Sequence, residues 1–258
     1  MWRSQPTVFN KAVVKESLIL VALRSGNLGV IDASTLTQIS VIPVSGAIEC
    51  MVWHDQYAYL AVCREDGSGG VQVVNMNNLH APILGSFHPL PWYTNAQGMV
   101  IVDNYLYIIC AQKGLGILDL SDQAKPSQVG FVPGMEDKQG IASDGKYIYW
   151  ISRSFGTANA VLRVLEMKDQ TRPTTIGRIE LPGGMDFRVV AMKNYVIVGS
   201  WSGIYAVDVS KPTRPKMVAR FKIPIDDIVD MIVANDLNYI LYVSNINGLY
   251  LLRPTFLK

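Results

Sequence analysis

Short apolar runs alternate with polar turns along the chain, and the pattern is clearest between residues 98 and 132. Four runs follow one another there, over residues 98–102, 105–110, 115–120 and 128–132. They are rich in Val, Ile, Leu and Tyr, and Gly, Asn, Asp or Pro residues lie between them. This pattern predicts antiparallel β-strands. Because the runs are nearly continuous in apolar residues, we expect both faces of each sheet to be covered.

The third run of this unit occurs six times along the chain. Its closing residues are Asp32, Asn75, Asp119, Glu166, Asp208 and Arg253. The steps between them are 43, 44, 47, 42 and 45 residues. A period in the forties with four short strands per repeat is typical of β-propeller blades. The sequence therefore predicts an all-β fold, a six-bladed β-propeller with four antiparallel strands in each blade.

The repeat also fixes the expected organisation. We expect one domain over residues 1–258, with blades over 11–44, 47–89, 97–133, 139–182, 187–224 and 228–254. Second strands are predicted to begin at Leu18, Tyr57, Tyr105, Tyr147, Tyr195 and Tyr239. The last repeat has only three strand patterns, while the segment around residues 5–9 resembles the fourth-strand pattern at 125–129. We therefore expect an N-terminal strand over residues 5–10 to complete the last blade and close the ring.

Composition narrows the classes of partner. The net charge is only +2, from 23 basic and 21 acidic residues, so no strong attraction to nucleic acid or an anionic membrane is expected. No apolar run reaches the roughly 18 residues of a membrane span. The N-terminus has no apolar signal segment, which predicts a cytoplasmic protein by default, or an exported one if a signal was removed. The sequence leaves the oligomeric state open.

Few residues carry recognisable chemistry. The three cysteines lie in apolar strand patterns, so we expect free thiols and no disulfide. The three histidines, His54, His80 and His88, have no ligand spacing, so we expect no metal. The chain contains no nucleophile elbow and no phosphate-binding glycine loop, so we expect no cofactor.

Propeller geometry predicts a candidate binding face at the mouth of the channel, where second-to-third turns meet fourth-to-first connections. Counting back eight residues from each second strand, and nine in the last blade, places polar residues at the lip: Asn10, Glu49, Gln97, Gln139 and Asp230. Neighbouring loops add His88, Trp92, Tyr93, Asp186, Arg188 and Asp227, and the second-strand ends add Arg64, Arg153 and Trp201. Such a concave polar and aromatic surface can bind a ligand, or it can hold only ordered water.

Two segments have more than one interpretation. The connection over residues 88–97 carries Trp92 and Tyr93, which either contact a partner or fold back as a plug. A basic run over residues 211–222 is either a patch for an acidic partner or a solvated outer strand whose charges discourage edge pairing.

A family resemblance rests on the third strand and the loop after it. The sequences Ile-Leu-Asp-Leu-Ser-Asp at 117–122 and Ala-Val-Asp-Val-Ser-Lys-Pro-Thr-Arg-Pro at 206–215 resemble those of the LVIVD-repeat β-propeller family. The resemblance implies the propeller fold and a binding role, and it implies an exported bacterial or archaeal protein.

These observations favour a non-catalytic interaction module that binds a protein, peptide or glycan at the channel-mouth face. The alternative is an enzyme of the lyase, isomerase or hydrolase type, with a small-molecule site built from carboxylates and His88. Its acid–base groups would be Glu49, His88, Asp227 or Asp230. An interaction module predicts exposed loop-tip aromatics, whereas an enzyme predicts converging carboxylates in a cavity.

Overall fold

A computed structural model describes residues 9–23, 26–93, 95–134, 139–153, 159–183, 187–200, 202–222, 228–234, 239–244 and 248–252. Within these ranges every regular secondary-structure element is a β-strand, which confirms the prediction of an all-β fold. The chain divides into two compact units, residues 1–129 and 130–258.

The first unit is built from consecutive four-stranded antiparallel sheets. Sheet 1 contains β1 (Phe9–Lys15), β2 (Leu18–Leu23), β3 (Asn27–Asp32) and β4 (Gln38–Pro43). Sheet 2 contains β5 (Ala47–His54), β6 (Tyr57–Cys63), β7 (Gly69–Asn75) and β8 (Ile83–Pro89). Sheet 3 contains β9 (Ala96–Val102), β10 (Tyr105–Cys110), β11 (Gly114–Asp119) and β12 (Ser127–Pro133), and the boundary between the units falls inside β12.

The second unit repeats the same meander. Sheet 4 contains β13 (Gln139–Ser143), β14 (Tyr147–Arg153), β15 (Ala160–Glu166) and β16 (Thr174–Leu181). Sheet 5 contains β17 (Arg188–Met192), β18 (Tyr195–Ser200), β19 (Gly203–Asp208) and β20 (Lys216–Phe221). Sheet 6 has three strands in the described residues: β21 (Ile228–Ala234), β22 (Tyr239–Ser244) and β23 (Gly248–Leu252).

All six second strands begin at the residues predicted from the sequence. One boundary needs correction, because β1 begins at Phe9 and pairs Phe9 with Leu23, so Phe9 and Asn10 belong to sheet 1 rather than to a closing strand. The rest of the predicted closing strand, residues 5–8, lies outside the described residues.

Side chains between successive sheets form the core. Within the first unit, one buried cluster lies between sheets 1 and 2 and contains Leu20, Val30 and Leu60. Another lies between sheets 2 and 3 and contains Tyr59 and Leu106. Within the second unit, sheet 5 shares buried clusters with sheet 4 and with sheet 6. Both faces of an inner sheet are therefore covered, which explains why its strands are apolar without strict alternation.

At three junctions between consecutive sheets of one unit, a small residue in the outer strand allows the sheets to approach each other. Ser40 Oγ in β4 donates to the carbonyl of Leu79, 2.7 Å away, in the β7–β8 loop. Ser86 Oγ in β8 donates to the carbonyl of Ala124 in the β11–β12 loop. In the second unit, Gly177 fills the matching position, and a Cβ there would lie 2.0 Å from the carbonyl oxygen of Pro212.

Candidate functional site

The turns β2–β3, β6–β7 and β10–β11 and the connections β4–β5 and β8–β9 meet on one side of the first unit, which we call the loop face. Backbone hydrogen bonds join them: Val44 N–H donates to Gly26 O, and Leu90 N–H donates to Gly69 O. Ala111 N–H donates to the carbonyl of Asn95, 2.9 Å away. This is the face on which the sequence predicts binding.

Three predicted lip residues of the first unit occupy the same backbone irregularity. The register of the first strand against the second shifts at Asn10 in β1, at Glu49 in β5 and at Gln97 in β9. Each is the extra residue of a β-bulge, a device that redirects a side chain at the end of a strand. The count of eight residues therefore identified a real structural position in this unit.

The same count fails in the last sheet. There the shift lies between Ile228 and Asp230, so Val229 occupies the bulge and Asp230 is the next residue along β21. The turn from β21 to β22 is two residues longer than the turn from β5 to β6, one residue more than the count allowed. Asp230 is thus not the counterpart of Glu49.

The Glu49 carboxylate is engaged within the protein. Its Oε2 atom accepts a short hydrogen bond from the Tyr93 hydroxyl and a 2.7 Å hydrogen bond from the Ala96 backbone N–H. Burial, followed by the hydrogen bond to Glu49, raises the pKa of Tyr93 far above its ordinary value, so the phenol stays protonated and donates. Glu49 therefore anchors the β8–β9 connection and is not a free general acid or base.

The aromatic residues of that connection fold onto the sheets. Tyr93 is only 8% exposed, and a Cβ at Gly69 would lie 2.1 Å from its ring. Trp92 is half-buried, and a Cβ at Gly116 would lie 1.9 Å from its Cη2 atom. Of the two interpretations left open by the sequence, the inward-folded plug fits this geometry, and loop-tip exposure is wrong for Tyr93.

His88 is not a loop residue. It lies within β8 opposite Val71, and its Nε2 atom is 2.9 Å from Ser86 Oγ. Burial lowers the pKa of the imidazole. The structure therefore does not bring His88 and Glu49 together as an acid–base pair, because Ser86 binds the histidine and Tyr93 and Ala96 bind the glutamate.

An open cleft of about 520 Å³ lies on the loop face beside Arg64. Its lining is formed by Gly26, Val44, Ser45, Gly46, Ala47, Cys63, Arg64 and Glu65. The Arg64 guanidinium lies 3.6 Å from the centroid of the Phe87 ring, which fixes the cation by stacking. Cys63 is a half-buried free thiol, and burial together with the nearby Glu49 carboxylate raises its pKa.

The second unit offers fewer described site residues. Arg153 ends β14 and Arg188 begins β17, where its Nη1 atom donates to the carbonyl of Phe187. Gln139 pairs with Ser152 at the start of β13. The predicted residues Asp186, Trp201 and Asp227 lie outside the described residues.

A hydroxyl cluster in the second unit was missed by the sequence analysis. Ser202 Oγ lies 2.8 Å from the Tyr205 hydroxyl, and Tyr205 donates to the carbonyl of Pro182, 2.6 Å away. Ser202 also donates to Gly183 O, so the cluster ties the β18–β19 turn to the β16–β17 connection. A signal was available, because Tyr205 is an aromatic residue at a repeat position that holds glycine in β3 and β11.

Two features are absent from the part of the chain that the structure describes. No three or more His, Cys, Asp or Glu side chains there lie close enough together to hold a metal ion. No helix among those residues has the length and hydrophobicity that a membrane span requires.

Comparison with known proteins places the fold. Solved structures with similar folds include a functionally unknown protein from Desulfotomaculum acetoxidans, with a TM-score of 0.71, 11% identity, and coverage of 93% of this chain and 79% of that one. The Swd1 β-propeller domain from Myceliophteria thermophila has a TM-score of 0.67 and 9% identity over 93% of this chain and 81% of its own. A chain of the Mitotic Checkpoint Complex has a TM-score of 0.72 and 8% identity over 92% and 73%. At such identities the likeness concerns the fold alone, and it defines an all-β protein of antiparallel sheets similar to β-propellers.

Sequence comparison is more specific. Two segments, residues 94–133 and 183–222, match the LVIVD repeat, which confirms the resemblance identified from the sequence. A search of the curated proteins found no significant match.

Proposed function

We propose that this protein is a non-catalytic interaction module that binds a protein, peptide or glycan through its loop face. The observation that carries the proposal is the open cleft beside Arg64, which is lined by the β4–β5 connection, where Val44 N–H donates to Gly26 O. A fixed scaffold around an open cleft suits recognition, because little conformational entropy is lost on binding.

The same proposal includes the finer fold assignment. The six sheets would be the blades of one propeller, with an N-terminal strand completing the last blade. The closing strand is supported by the sequence of residues 5–8, which is similar to that of residues 125–128. Residues 125–128 lead into the outer strand β12. The similarity to the Swd1 β-propeller domain fits this assignment.

The enzyme alternative loses its first two candidate groups. Glu49 accepts two hydrogen bonds from the protein itself, and His88 lies in an outer strand. No observation on the described residues favours a particular reaction.

Site-directed photo-crosslinking tests the surface. A photoreactive residue at exposed Ser45, on the loop face, is compared with one at exposed Val218, on β20. We expect one partner to be crosslinked repeatedly from Ser45 and not from Val218, and the purified pair to dissociate on Ser45→Trp, which blocks the cleft. Crosslinking from Val218 alone, together with a dissociation constant unchanged by Ser45→Trp, would contradict the proposal.

A further inference from the structure

The first step concerns the state of Arg64. Its guanidinium stacks on Phe87, and its Nε atom is buried without a hydrogen-bond partner. Among the described residues, the Arg64 side chain forms neither an ion pair nor a hydrogen bond. A buried donor left unpaired is costly, and a cationic donor more so, so an acceptor that met the guanidinium from the cleft would be stabilising.

The second step concerns the space in front of this cation. Backbone segments approach closely in the lining of the cleft: a Cβ at Gly26 would lie 2.7 Å from the Gly46 oxygen, and a Cβ at Gly46 would lie 2.5 Å from the Cys63 oxygen. Both glycines also have positive φ angles, +78° and +135°. Both positions therefore require glycine, and the cleft that they line has a volume of about 520 Å³ beside Arg64.

The third step concerns charge. A guanidinium presents planar paired donors that match a carboxylate or a phosphate. Glu65 lines the same cleft, and Asp66 follows it in the turn. Hydrogen bonds from Ser68, with Arg64 a lesser cause, lower the pKa of Asp66, so the turn carries negative charge. Repulsion from these groups grows with ligand charge, which disfavours a dianionic phosphate relative to a single carboxylate.

We propose that the Arg64 cleft binds a carboxylate of a polypeptide, either an acidic side chain or a chain terminus. This inference rests on the proposed function and specifies the chemistry that the loop face would recognise. Arg64 would supply a two-pronged contact from a side chain that Phe87 already holds in place, so the contact would lose little side-chain entropy.

The test uses small probes on the full chain, so no natural partner is needed. The probes are N-acetylglycine for a chain terminus, N-acetylaspartic acid α-amide for a side chain, N-acetylglycinamide as the uncharged control, and inorganic phosphate. The readout is the Nε–Hε resonance of Arg64 in NMR spectra, assigned by its loss in Arg64→Lys. Exposed Arg178, whose Nη2 atom lies 3.4 Å from Glu180 Oε1, is the internal reference.

We expect at least one carboxylate probe to shift the Arg64 resonance saturably, with a dissociation constant in the millimolar range, while N-acetylglycinamide and phosphate do not. A response to N-acetylglycine alone assigns the site to a chain terminus, and a response to the aspartate probe alone assigns it to a side chain. The carboxylate inference is overturned if neither probe acts, if phosphate binds more tightly, or if Arg178 shifts equally.

The outcome is separable from that of the proposed function. If the partner crosslinked from Ser45 binds Arg64→Gln as tightly as wild type, and the probes have no effect, the carboxylate inference fails while the interaction module stands. If the probes bind but no partner is crosslinked from Ser45, the cleft chemistry stands and the proposed function fails.

Discussion

The two units hold the connection between consecutive sheets in different ways. In the first unit, Trp92 of the β8–β9 connection packs over Gly116 in β11. In the second unit, the equivalent residue of β19 is Tyr205, which reaches out and donates to Pro182 in the β16–β17 connection. The matching position is established by the register, since Gly116 pairs with Ile108 and Tyr205 with Val198, each the fourth residue of its second strand.

The comparison shows that the aromatic ring beside the third strand can come either from the connection or from the strand itself. A glycine in the third strand lets the connection supply the ring, whereas a tyrosine in the strand supplies its own ring and a hydroxyl for the connection. At sheet 2 neither solution is used. The β4–β5 connection contains only Val44, Ser45 and Gly46, and the strand residue Gln72 turns to the carbonyls of β7 and β8. The open cleft beside Arg64 borders this connection.

The largest expected effect comes from filling the space over Gly116 that the Trp92 indole occupies. Gly116→Ala should lower the free energy of unfolding by about 3 kcal/mol, because the new methyl group would overlap Trp92 and the core must shift. Gly29→Ala changes the same repeat position in β3, where a Cβ would lie no closer than 3.8 Å to any atom. That control should be neutral or stabilising by about 0.5 kcal/mol. Equal urea midpoints for the two variants would contradict the contact between Trp92 and Gly116.

The next effect compares the hydrogen bonds of the Tyr93 and Tyr205 hydroxyls, of which only the first has a charged acceptor. Tyr93→Phe removes a hydrogen bond to a carboxylate and should cost about 2 kcal/mol, while Tyr205→Phe removes one to a neutral carbonyl and should cost about 1 kcal/mol. Urea unfolding of both variants measures the difference. A larger loss for Tyr205→Phe would reverse our ranking of the anchors.

The smallest effect is a pH dependence. Burial lowers the pKa of His88, so the unfolded chain binds more protons than the folded one as the pH falls through the ordinary histidine range. The stability that neutral His88 contributes is present near pH 7 and declines toward pH 5. His88→Gln should flatten the pH profile of the unfolding midpoint in that window, and superimposable wild-type and variant profiles would show that His88 makes no such contribution.

Much of the fold was predictable from the sequence because it depends on short-range patterns. Polar turns fall between apolar runs at a regular interval, so the starts of all six second strands followed from spacing. The polar lip residues of the first unit could be found by counting, because the turns there have constant length. The count failed at Asp230, where the turn is longer and no local signal gives the register.

The sequence by itself determined the strands, their antiparallel order within each repeat and the polar character of the loop face, since short apolar runs and the turn residues between them act locally. Only the tertiary structure decided that Tyr93 is buried, that Glu49 serves as its anchor and that Arg64 lies on Phe87. Gly69, Glu49 and Phe87 lie over twenty residues from their partners, and such contacts depend on how distant segments pack in three dimensions, which no local pattern encodes.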